Sequence, residues 1–113
     1  TNLRNDLSMT NRTLFRIALL ALGALFVFGC AGPKPYREYS MAYTSLRAAE
    51  MAEASRYSPG YWSKAERLYR EGEQAYKQNL NSQAKELFIR AQRYAERAEN
   101  VTRLRKFKSG GAP

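Results

Sequence analysis

The sequence predicts an all-α protein: a small antiparallel three-helix bundle, made of a helical hairpin with one further helix in front, behind an N-terminal segment that is cut away. Three observations carry this. From Tyr36 to Val101, apolar and small residues recur at three- and four-residue spacing, the period of one helix face. The rhythm breaks twice, at Ser58-Pro59 and at Asn79-Leu80-Asn81-Ser82, both built from cap and turn residues. Finally, Glu66 and Arg70, Glu73 and Lys77, Glu86 and Arg90, and Glu99 and Arg103 are all acid-first pairs at i, i+4. That order favours a helix by a few tenths of a kcal/mol for each pair.

The first helix is expected over residues 36–56, with Tyr36, Tyr39, Tyr43, Leu46 and Ala49 along one face. Pro33 and Pro35 forbid an earlier start. Ser58 is the candidate N-cap of the second helix, with Pro59 at its first position, where a missing N–H costs nothing. That helix carries Trp62, Ala65, Tyr69, Gly72 and Tyr76 on one face. Asn81 or Ser82 is expected to cap the third helix, whose inward residues are Ala84, Leu87, Ala91, Tyr94 or Ala95, Ala98 and Val101. It fades near Lys108 and leaves residues 109–113 as a tail. Short connections make neighbouring helices antiparallel. Alanines allow close approach, while Trp62 and the tyrosines supply most of the buried area. The rhythm also echoes a 34-residue helical repeat, but one copy of such a repeat cannot bury its own face.

Ahead of the helices lies a different kind of segment. Residues 17–28 (IALLALGALFVF) are uninterruptedly apolar, Arg12 and Arg16 precede them, and no acid occurs between Asp6 and Glu38. A basic stretch, a short apolar stretch and a small residue at the cut form a secretory signal. Met9 is placed to start a signal of conventional length, which leaves residues 1–8 as upstream sequence. Twelve apolar residues fall short of the roughly 20 that span a bilayer, and extending the run would bury Arg16. The run ends at Val27-Phe28-Gly29-Cys30, and Cys30 is the only cysteine. This order resembles the bacterial lipobox, although Phe28 is larger than the usual occupant. The resemblance implies cleavage between Gly29 and Cys30, with fatty-acyl chains on Cys30. Residues 9–29 are then the signal, 30–35 the acylated cysteine and linker, and 36–108 the helical domain. Ala31 is not aspartate, so by the enterobacterial sorting rule the destination is the periplasmic face of the outer membrane.

Tyr57-Ser58-Pro59, followed by Trp62, Ala65, Leu68 and Ala75 and then by Ala84, Leu87, Ala91, Ala95 and Ala98, is similar to a family of small alanine-rich helical bacterial lipoproteins. That family is catalogued as a domain of unknown function. Some relatives carry the module ahead of a peptidoglycan-binding domain like that of outer membrane protein A. The likeness covers about residues 39–101. It supports location and fold, and brings no catalytic residues. This chain departs from the pattern in its many tyrosines and at Gly72, where alanine is usual. The glycine costs up to about 1 kcal/mol of helix propensity unless a close contact recovers it.

Little in the chain points to chemistry. It has no histidine, which removes the commonest metal ligand and general base. Glu71 and Glu73 face different ways, and Glu50 and Glu53 read as a solvated helix face. No serine has a base to activate it. The expectation is therefore no enzyme, no metal and no cofactor beyond the covalent lipid on Cys30. Charge is the remaining signal. From residue 30 onward 16 Lys and Arg stand against 9 Glu, a net of about +7. Arg103, Arg105, Lys106 and Lys108 have no acid after Glu99, so they are candidate contacts for an anionic polymer or an envelope partner; the plain alternative is a cationic helix end that suits the helix dipole. Tyr61 and Trp62 are the candidate recognition aromatics. The predicted partners are the bilayer, through Cys30, and a protein or cell-wall component, with neither nucleic acid nor a small-molecule substrate.

Overall fold

Every regular element among the described residues of the computed structural model, residues 2–28 and 32–110, is a helix. They run α1 (Asn2–Phe28), α2 (Tyr36–Met51), α3 (Ala54–Tyr57), α4 (Pro59–Lys77) and α5 (Asn81–Lys108). The chain divides into two units, Thr1–Gly32 and Pro33–Pro113. The first unit is α1, whose residues 4–23 are all exposed. The apolar side chains of Leu14, Phe15, Ile17 and Leu20 among them find no core.

In the second unit, alanine spacing sets the packing. Ala42, Leu68, Ala75, Ala84, Phe88 and Ala91 form one buried cluster. Leu46, Ala49, Ala54, Ala65, Ala95 and Ala98 form the next. These two memberships fix the directions of the helices. Along α5 the first cluster precedes the second, as it does along α2, whereas along α4 the order is reversed. So α4 runs against α5 and α2 runs with it. Two cross-links agree, since Lys85 lies 4.0 Å from Glu38 at one end and Lys106 lies 2.9 Å from Glu53 at the other. Small side chains let α4 and α2 both come close to α5, whereas α2 and α4 meet mainly through tyrosine rings.

Phe88 is the largest fully buried side chain, and Gly72 is what makes room for it. A Cβ on Gly72 would lie 2.8 Å from two Phe88 ring carbons, inside any real contact. The helix-propensity cost of this glycine therefore buys the seat of the central ring. Tyr39 meets that ring edge-on at 5.3 Å, with Tyr69 and Tyr76 at 5.7 and 6.4 Å. The sequence reading placed Leu87 and Val101 on the inner face; both are half-buried, and Phe88 and Thr102 are the buried residues.

The helix junctions differ from expectation in three places. The first helix does not continue to residue 56: it ends at Met51, and Glu53 turns left-handed at φ 70° before the single turn of α3. Ser58 stands at the N-cap of α4, with Pro59 following, but its hydroxyl makes no cap bond. It is buried and spans to α5, donating to the Ala98 carbonyl at 2.8 Å and accepting from Thr102 Oγ1 at 2.7 Å. Neither Asn81 nor Ser82 caps α5, because Leu80 holds that position and Asn81 already begins the helix. The end of α4 explains this. Asn79 is left-handed at φ 59°, its N–H donates to the Tyr76 carbonyl, and the Leu80 N–H donates to the Ala75 carbonyl. This double closure of the helix end brings the chain straight into α5.

Candidate functional site

Gly29 and Cys30, where cleavage and lipidation are expected, lie outside the described residues. The preceding run is helical through Phe28, and its residues 17–23 are exposed. No helix among the described residues is long and apolar enough to cross a membrane.

The basic end of α5 is partly occupied by the fold. Arg103 pairs with Glu99 at 2.8 Å. Arg105 donates to the Tyr57 carbonyl. Lys106 reaches back to Glu53 at 2.9 Å and lies 5.3 Å from the centre of the Tyr57 ring. Sequence spacing hid this acid, which arrives from the α2–α3 joint rather than from α5. The Lys106 ammonium holds the Glu53 carboxyl below its ordinary value by hydrogen bonding and charge, with Arg56 adding to the effect. Lys108 enters no ion pair among the described residues and is exposed, as are Leu104 and Phe107 beside it.

Tyr61 and Trp62 are also built into the domain. The Tyr61 ring stacks on Tyr94 at 6.4 Å and carries the Arg97 guanidinium at 5.6 Å. Trp62 is half-buried against the cluster of Leu46 and Ala65, with one edge on a groove. That groove, of about 230 Å³, lies between α2 and α4. Tyr43, Leu46, Arg47 and Glu50 line it from α2, and Trp62, Glu66, Tyr69, Arg70 and Glu73 line it from α4. The sequence reading did not single it out. Its signal is the one-turn spacing of 43, 46, 47 and 50, and of 62, 66, 69, 70 and 73, on the same helices as the core stripe.

Three phenols are perturbed, Tyr69 and Tyr76 upward, chiefly by burial, and Tyr94 downward. Burial raises the Tyr69 hydroxyl well above its ordinary value, and Tyr39 and the Glu73 charge push the same way. Tyr94 is lowered by Lys64, whose ammonium hydrogen-bonds it and adds its charge. No group of three or more His, Cys, Asp or Glu among the described residues could hold a metal ion.

Helix order, alanine seams and tyrosine-capped core define a small all-α domain packed around its last helix. A family model described as a domain of unknown function (DUF4398) matches residues 37–109, and the chain belongs to that family. No curated protein and no solved structure matches it.

Proposed function

We propose that the protein is a non-enzymatic lipoprotein of the outer membrane, a tethered helical scaffold or adaptor for another component of the cell envelope. The observation that carries this is the order of residues 12–30: two arginines, a short apolar run, then Gly29-Cys30. The exposed apolar side chains of α1 support it, since they form no core and are suited to a segment handled by membrane machinery. Residues 36–108 act as a small antiparallel three-helix bundle, with α3 as the joint between its first two helices. Acylation at Cys30 anchors the domain, and anchoring raises its effective concentration for a neighbouring partner. Cys30→Ala tests the reading by fractionation of whole cells. The variant is expected to leave the membrane fraction while its helix content is unchanged; retention in the membrane would favour an uncleaved inner-membrane anchor instead.

A second reading has the helical unit bind an anionic polymer, peptidoglycan or lipopolysaccharide, through the end of α5. The exposed Lys108, flanked by Arg103 and Arg105 and by the uncovered Leu104 and Phe107, favours it. Reversing Arg103 and Lys108 to glutamate leaves the Lys106–Glu53 link in place and should weaken pulldown in a salt-sensitive way. Unchanged pulldown would make these residues a solvated helix end.

A further inference from the structure

The groove between α2 and α4 receives no residue from α5, so the helix that covers the other face of both leaves this one open. Its floor is aromatic, and Tyr43 is about half exposed there. Its rim carries both signs of charge: Arg47 and Glu50 on α2, Glu66 and Arg70 on α4. Glu66 and Arg70 stand in the acid-first i, i+4 order, and the same order closes into an ion pair at Glu99 and Arg103. Among the described residues it closes at none of the other three such pairs, and of these only Glu66 and Arg70 both border the groove. Neither Glu66 nor Arg70 enters an ion pair among the described residues, although both border the same groove.

We propose that the groove is a two-fold interface that takes a second copy of this chain. A two-fold contact pairs a surface with itself, so residue i meets j and j meets i. Glu66 and Arg70 are symmetric about residue 68. An antiparallel copy of α4 centred at that level sets Glu66 of each chain opposite Arg70 of the other. Closing the contact covers Tyr43 and the free edge of Trp62, the aromatic type enriched at interfaces. Mixed charge also selects the occupant, because a polyanion would meet Glu66 and Glu73, whereas an identical surface meets its complement. The net positive charge of the chains opposes their approach at long range, and physiological salt screens that repulsion beyond about 8 Å. The inference rests on the Pro33–Pro113 unit and is independent of the lipid anchor.

The test is sedimentation equilibrium of the full chain in density-matched detergent over a range of protein concentrations. A reversible dimer is expected. Arg70→Glu places glutamate opposite glutamate and should weaken dimerisation by about tenfold or more, and Glu66→Arg should do the same. The combined exchange, Glu66→Arg with Arg70→Glu, restores opposite charges and should restore the dimer. Both positions border solvent, so helix content by circular dichroism should stay constant throughout. A monomer at every concentration, or a double exchange as weak as either single variant, would overturn the proposal.

Discussion

α1 and α5 are almost equal in length, 27 and 28 residues, and they use their apolar residues in opposite ways. α1 holds the most apolar run of the chain, yet Leu14, Phe15, Ile17 and Leu20 are all more than half exposed. α5 is dense in charge, yet seven of its residues are buried, four of them alanines. Burial therefore follows placement rather than total hydropathy. Apolar residues in an unbroken run surround a helix on all sides and offer no seam to one neighbour. Alanines at three- and four-residue steps make a narrow stripe, and the polar remainder keeps the other face in water. The run at 17–28 offers no single seam, whereas α5 offers its stripe to two other helices.

Phe88→Ala should break this contrast most severely, because it empties the centre of the α5 seam. Loss of a fully buried phenylalanine costs about 3–5 kcal/mol, a large share of what a domain of this size possesses. Thermal unfolding followed by circular dichroism should show the folded transition lost or shifted far down. Gly72→Ala comes next. Alanine gains up to about 1 kcal/mol of helix propensity, but its methyl collides with the buried ring, and overpacking costs about 1–3 kcal/mol. The expected net loss is about 1 kcal/mol in a urea titration. Adding Phe88→Leu should reverse the sign of the Gly72→Ala effect, since the colliding ring is then gone.

Ser58→Ala should cost about 1 kcal/mol by the same titration, by removing the hydroxyl that links α4 to Thr102 and the Ala98 carbonyl. The smallest effect belongs to the exposed link at the α2–α3 joint. The folded Glu53 carboxyl titrates below its unfolded value, so its pairing with Lys106 contributes above the unfolded pKa and is lost as pH falls through the folded one. Lys106→Gln should remove that acid-side part of the stability profile and leave the neutral-to-alkaline part nearly flat. High salt should diminish the difference, as for any exposed pair.

Much of the helical unit was readable from spacing alone. Ala65, Gly72, Ala84, Ala91, Ala95 and Ala98 fall on the buried faces that periodicity assigned, and α4 starts at Pro59 as expected. The misses have identifiable causes. Residues 87 and 88 lie about 100° apart on a helix, so either side of the stripe satisfies the pattern; the hollow at Gly72 on a different helix selects Phe88. Thr102 replaces Val101 because the Ser58 hydroxyl needs a buried partner, and no local pattern shows that. The break at Met51 carries neither glycine nor proline, and is made by a glutamate in a left-handed turn. Among the candidate site residues, Arg105, Lys106 and Tyr61 proved to be tied into the fold by partners remote in sequence. The groove was missed for a related reason, since its two stripes become one surface only when α2 and α4 lie side by side.

The most direct measurement is the intact mass of the protein extracted from membranes, with tandem mapping of its N-terminus. The account expects a chain that begins at Cys30 and carries acyl chains there. A chain that keeps residues 9–29, with an unmodified Cys30 thiol, would contradict the lipid tether and leave a membrane-anchored helical domain in its place.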